Sequence, residues 1–131
     1  MTINMLKKIQ TDKAPQAIGP YSQAIMANGF VFCSGQIGLT PEGAFAGDDV
    51  TAQTHQVIQN LKAVLEASGS SLEKIVKTTC YLTDMAEFQT FNAVYETYFG
   101  ETKPARGTVG VNNLPKNAKV EIEVIALASK N

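Results

Sequence analysis

The chain has 131 residues, 44% of them hydrophobic and 18% charged, with a formal net charge of −1. That length suits a single domain over residues 1–131, large enough to bury roughly two-thirds of its unfolded surface without a disulfide or metal staple. The near-neutral balance argues against a nucleic-acid binder, which needs a basic face. The absence of any apolar run near ~20 residues argues against a membrane span.

The first ten residues carry charges where a secretory signal is apolar, so the expected compartment is the cytoplasm. A first strand is expected over residues 5–11, then a loop over 12–16 with Ala14-Pro15 as a turn. Ile18-Gly19-Pro20-Tyr21 makes a second turn into a strand over 22–27. Asn28-Gly29 is a hairpin signal, because both residue types tolerate a left-handed backbone. It leads to a strand over 30–35, which contains Cys33. Thr40-Pro41-Glu42-Gly43 opens a loop.

A helix is expected over Val50–Ala67, capped by Asp48 or Asp49 and ended by Gly69. Val57, Ile58, Leu61, Val64, Leu65 and Ser68 follow the three-four spacing of a buried face, and His55 falls off it. Residues 75–83 form the next strand, which contains Cys80. Asp84 and Glu87 suggest a capping box for a second helix over 85–99, whose apolar side carries Phe88, Phe91, Tyr95, Tyr98 and Phe99. Gly100 ends it. Strands over 105–111 and 118–128 follow, with Leu114-Pro115-Lys116-Asn117 turning between them. Two cysteines inside strand-like runs read as packed, reduced thiols. One histidine without close cysteine spacing speaks against zinc, and no glycine-rich phosphate loop occurs.

The order βββαβαββ describes an α+β domain: a six-stranded sheet with two helices on one face, the other face left over. Alternation puts Val109 and Val111 on one face, and Arg106 and Thr108 on the other. It sets Val120, Ile122 and Val124 against Glu121, Glu123 and Ile125, and Val76, Cys80 and Leu82 against Lys77, Thr79 and Tyr81. The uncovered face is then expected to be polar and aromatic, to carry Thr79, Tyr81, Thr108 and Glu123, and to be covered by a partner subunit.

Several residues on this frame carry chemistry. Arg106 follows Pro104-Ala105 at a strand mouth. Its planar fork suits either a carboxylate ligand or an ordinary ion pair. Glu121 and Glu123 share a face, as edge charges, as partners for Arg106, or as a general base. Asn92 sits in the aromatic stripe of the second helix, where an amide needs partners. Tyr21 follows a rigid turn. Ser34-Gly35 ends an apolar strand with a hydroxyl and an unhindered backbone. No His/Asp pattern activates the serine, which argues against a serine hydrolase.

Taken in order, these segments resemble the Rid (YjgF-like) family of reactive intermediate deaminases. The matching pieces are Ala17-Ile18-Gly19-Pro20-Tyr21-Ser22-Gln23-Ala24, Cys33-Ser34-Gly35-Gln36-Ile37, Ile75-Val76-Lys77-Thr78-Thr79, Phe91-Asn92-Ala93-Val94-Tyr95-Glu96, Pro104-Ala105-Arg106 and Leu114-Pro115-Lys116 through Val120-Glu121-Ile122-Glu123. No one piece is decisive, but the ordered set is specific. The resemblance implies a chorismate mutase-like fold and a homotrimer with sites between subunits. It also implies hydrolysis of 2-imino acids, typically 2-iminobutanoate and 2-iminopropanoate, to 2-oxo acids and ammonia, with no cofactor and no metal. By position, Arg106 is expected to bind the carboxylate and Glu121 to handle water. Tyr21, Ser34 and Asn92 are expected to line the pocket, and the backbone at Gly35 and Thr108 to offer hydrogen bonds.

The chain departs from the family pattern after Arg106. Gly107-Thr108 stands where many deaminating members carry Ser-Cys, Gly110 where a glutamate is common, and Asn112-Asn113 where Ala-Arg is common. These changes bear on substrate preference and rate more than on reaction class. Competing readings are a small-carboxylate-binding regulator, which Arg106 fits equally well and Glu121 does not require, and a ribonuclease or translation inhibitor. The acidic pI near 5.8 and the lack of a histidine pair count against the latter.

Overall fold

The computed structural model describes residues 6–128. Its strands are β1 (Lys7–Ile9), β2 (Ala24–Ala27), β3 (Phe30–Ile37), β4 (Ile75–Leu82), β5 (Ala105–Gly110) and β6 (Val120–Leu127); its helices are α1 (Val50–Ala67) and α2 (Phe88–Phe99). The six strands form one mixed sheet in the order β1-β2-β3-β6-β4-β5. Only β4 and β5 run parallel, joined through α2; the other neighbours are antiparallel.

Local chemistry accounts for the elements. Asn28 and Gly29 take φ of 55° and 84°, the hairpin turn expected of that pair. Asp49 accepts a 2.7 Å bond from Ala52 N and starts α1. Gly69, at φ 78°, lies just past its end. The predicted helix over 85–99 opens with a tighter turn at Met85–Glu87, where the Asp84 carboxylate accepts from Ala86 N at 3.0 Å. The predicted strand over 5–11 contracts to Lys7–Ile9, and residue 5 lies outside the described residues. The buried Gln23 amide takes over the backbone of Thr11: Oε1 accepts from Thr11 N at 2.7 Å and Nε2 donates to Thr11 O at 3.1 Å.

Both helices lie on one face. The α1 stripe of Val57, Ile58, Leu61, Val64 and Leu65 is fully buried, as its spacing predicts. It packs with Phe91 and Phe99 of α2 against Val31, Leu82, Val120 and Ile122 of the sheet. Cys33 and Cys80 are buried and free in the same layer. Burial pushes their thiols up to about 12 and about 11, leaving them protonated and inert.

The faces of two strands differ from the alternation reading. The register pairs Arg106 with Thr78 and Thr108 with Cys80, both buried beneath the helices. Arg106 and Thr108 therefore lie on the helix side, and Val109 is the exposed one, at 46%. Thr108 does not belong to the open face with Thr79, Tyr81 and Glu123. The alternation argument fails here because β5 is an edge strand, and α2 offers its outer positions aromatic rings instead of an aliphatic core. Val76 is also turned outward, by an irregularity between Ile75 and Lys77 opposite β6. The open face accordingly carries apolar Phe30, Phe32, Val109 and Leu127, each 37–46% exposed, beside its polar residues.

Candidate active site

The chemistry-bearing residues gather in two places. The first is a bulge. Cys33 pairs with Val124, but Gln36 pairs with Ile122, so Ser34 and Gly35 together face Glu123. A bulge of this kind breaks the ladder and re-aims side chains. Ser34 is tied down by it: Oγ donates to Ser22 O at 2.6 Å and N to Gln23 O at 3.0 Å. Gly35 leaves the space above the strand empty, and Glu121 fills it. A Cβ at position 35 would collide with Glu121 Oε2 and lie 2.8 Å from its Cδ. The carboxylate thus lies directly on the β3 backbone. Burial, and then the charge of Glu123, holds it above the ordinary glutamate range.

Around Glu121 lies a cavity of about 660 Å³, with Tyr21, Ser34, Gly35, Gln36 and Lys116 in its walls and an apolar side made by Ile18, Ile37 and Leu39. Tyr21 is half-exposed, and its N–H donates to Gly19 O at 2.9 Å across a turn in which Gly19 takes φ 118°. Lys116 and Asn117 both adopt left-handed backbones, φ 57° and 60°, at the opposite rim. Two amides of α1 staple these walls. Asn60 donates to Leu39 O at 2.8 Å, and Gln53 accepts from Lys119 N at 2.9 Å while donating to Gly47 O at 3.0 Å. Residue-by-residue reading of the sequence missed both. Their signal is two polar residues seven apart on the buried stripe of an amphipathic helix.

The second place is the β5 edge. The Arg106 guanidinium lies 4.6 Å from the centroid of the Tyr95 ring and 5.5 Å from that of Phe88. Its Nη1 donates to Asn92 Oδ1 at 2.7 Å. Asn92 therefore holds a side chain rather than a backbone group. A cavity of about 440 Å³ adjoins, lined by Asn92, Tyr95, Lys103, Pro104 and Arg106. The Thr108 hydroxyl is buried in the same layer, beside the Cys80 thiol. At Gly110 a Cβ would come within 2.8 Å of Met85 Cγ, so a side chain there would displace Met85.

Tyr21, Ser34, Gly35 and Glu121 meet at one cavity, and Asn92 and Arg106 at another. The two are separated by the sheet itself. Glu121 pairs with Tyr81 on the open face, whereas Arg106 sits over Tyr95 on the helix face. An ion pair between Arg106 and Glu121 of one chain is thereby excluded. His55 lines neither cavity; it is exposed, 2.7 Å from the Tyr98 hydroxyl. No helix among the described residues is long and apolar enough to cross a membrane.

The family model described as endoribonuclease L-PSP matches residues 11–128. The chain belongs to this family, that of the YjgF/Rid proteins. A RutC family protein of Pyrococcus horikoshii is 51% identical over 123 residues, covering 93% of this chain and 98% of that protein. A 2-iminobutanoate/2-iminopropanoate deaminase of Salmonella typhimurium is 46% identical over 126 residues, covering 94% and 98%. The crystal structure of yeast Mmf1 superposes with a TM-score of 0.93 at 45% identity, covering 95% of this chain and all of that one. The six-stranded sheet and its two helices are thus the Rid fold, as the ordered motifs implied.

Proposed function

We propose that this protein hydrolyses small 2-imino acids, 2-iminobutanoate and 2-iminopropanoate among them, to the 2-oxo acid and ammonia. The observation that carries this reading is the Glu121 carboxylate, desolvated and seated on the Gly35 backbone where no side chain can displace it. A base in that setting binds a proton more readily than an exposed glutamate, a shift in the direction that a proton shuttle requires. The name carried by the Salmonella relative supports the same chemistry.

Arg106 binds the substrate carboxylate with the donors that Asn92 leaves free. Glu121 accepts a proton from water as the water oxygen bonds to C2 and the C=N π electrons move to nitrogen. The same proton then goes to the nitrogen of the tetrahedral intermediate. The C–N bond breaks, ammonia leaves, and the hydroxyl proton is released as the ketone forms. The iminium carbon is already electrophilic, so positioning supplies most of the catalysis and no cofactor is required. Tyr21 and Ser34 wall the water side, and the backbone at Gly35 and Thr108 flanks the substrate.

Because the sheet separates Arg106 from Glu121, we place the working site between two copies of the chain, in a homotrimer whose open faces are turned inward. The exposed Phe30, Phe32, Val109 and Leu127 support that burial. The proposed setting is the cytoplasm, close to enzymes that release imines from amino acids.

The test is a coupled assay in which a threonine dehydratase generates the transient imine. The protein is expected to shorten the imine's lifetime, and Arg106→Ala to abolish that effect. Loss of a charge-assisted, bidentate contact in a dry site costs about 2–5 kcal/mol. Arg106→Lys is expected to rescue poorly, because an ammonium lacks the planar fork. An unchanged imine lifetime overturns the reading, as does full activity in Arg106→Ala.

A further inference from the structure

We propose that Tyr95 and Thr78 are positioning residues that hold the Arg106 guanidinium ready for the substrate carboxylate. The inference rests on the assignment of Arg106 as the carboxylate binder. It concerns residues that act through Arg106.

Arg106 stands on an edge strand, and its side chain is exposed. A long side chain in that setting samples many rotamers, and freezing one on binding subtracts from affinity. Here the rotamer is set beforehand. Phe88, Asn92 and Tyr95 occupy positions four and three apart, so they project from one face of α2. Two of them present rings to the guanidinium and the third accepts from Nη1 at 2.7 Å. Stacking uses the flat face of the guanidinium and leaves its in-plane N–H donors for ligands.

The Tyr95 ring is in turn fixed from behind. Its hydroxyl is 2.8 Å from Thr78 Oγ1. Thr78 is fully buried, and on β4 it is the register partner of Arg106 itself. The contacts therefore close a ring: β5 carries Arg106, Arg106 rests on Tyr95, Tyr95 bonds to Thr78, and Thr78 pairs with Arg106 through the backbone. Cys80 Sγ, 4.0 Å from Thr78 Oγ1, adds a weak contact from beneath. Tyr95 is only 7% exposed, so its hydroxyl must find a partner in the core or be left unsatisfied. Thr78 supplies that partner. A valine at 78 keeps the shape and removes only the bond.

The experiment compares Tyr95→Leu, Tyr95→Phe and Thr78→Val, each in the native and the Arg106→Lys background. It reads Kd for 2-oxobutanoate together with kcat and KM for imine hydrolysis. With Arg106 present, Tyr95→Leu is expected to raise Kd and KM by roughly 3- to 30-fold, the range of a partly desolvated cation–π contact, with kcat little changed. Tyr95→Phe and Thr78→Val are expected to give smaller increases of the same kind, and to keep the fold if Tyr95→Leu does not. In the Arg106→Lys background all three effects are expected to shrink, because an ammonium has no planar face to stack on the ring. Two results overturn the proposal: unchanged Kd in folded Tyr95→Phe and Thr78→Val, or equal losses in both backgrounds, which is the signature of a merely structural role. Failure of the underlying site assignment is seen separately, as unaltered 2-oxobutanoate binding in Arg106→Lys alone, and it removes the proposal as well.

Discussion

Glu121 and Glu123 lie two apart on one strand and one face, yet their surroundings divide their roles. Glu121 is half-buried and held above the ordinary glutamate range by desolvation first and Glu123 second. Glu123 is exposed. Glu121→Gln is expected to slow imine hydrolysis by roughly 10²–10⁴-fold, the range for a placed acid or base, while 2-oxo acid binding survives. Glu123→Gln is expected to leave the maximal rate nearly unchanged. It removes the second cause of the Glu121 shift, so the acid limb of kcat/KM is expected to move to lower pH. Equal, slight effects of the two changes in a pH–rate profile reject the assignment. Stability runs the other way. A carboxyl whose folded pKa exceeds its unfolded value favours the native state fully below the unfolded value, and that contribution is lost as pH rises through the folded one. Glu121→Gln is therefore expected to raise Tm at about pH 7 and to lose that advantage near pH 4, where native Glu121 is itself neutral. Calorimetry at the two pH values decides it.

The bulge in β3 and the start of α1 make opposite demands on their sequences. Gly35→Ala puts a methyl where Glu121 lies, so the carboxylate must leave its seat. Turnover is expected to fall about 10²-fold, as for other displacements of a reacting group by an ångström or so. Activity retained in Gly35→Ala contradicts the bulge's role in seating Glu121. Asp49→Ala removes a helix cap that lines neither cavity and is expected to cost about 1 kcal/mol in urea unfolding with little change in rate. Leu61→Ala, on the buried stripe of α1, is expected to cost about 2–5 kcal/mol. The α1 helix was legible because the apolar stripe of this 18-residue helix and its aspartate cap agree, and tertiary packing reinforces them. The bulge was not, because one glycine in a strand marks equally a bulge, a bend or a close approach. The side on which Arg106 lies was misread for a physical reason. Alternation assumes that apolar residues seek the core, whereas an edge strand can send its valine to a partner and its arginine to aromatic rings.

The whole chain carries the two halves of the proposed site on opposite faces of its sheet. Chains with Arg106→Ala and chains with Glu121→Gln are each expected to be inactive alone. Refolded together in equal amounts, they are expected to regain about a quarter of native activity, because random assembly leaves that share of interfaces with both residues intact. Sedimentation is expected to give a trimer for each single variant and for the mixture. No recovery in mixtures that do assemble rules out a shared site. The resemblance implies such a shared arrangement; the register of β5 and of β6 against β4 shows only that Arg106 and Glu121 of one chain lie on opposite faces.

That separation by the sheet has a genetic consequence. In the proposed ring, every chain lends its arginine to one neighbour and its glutamate to the other. An allele damaged at Arg106 alone spoils the site on one side of its product. An allele damaged at both positions spoils the sites on both sides. Co-expressed with a normal copy, the doubly damaged allele is the more dominant of the two, although each encodes a protein with no activity of its own.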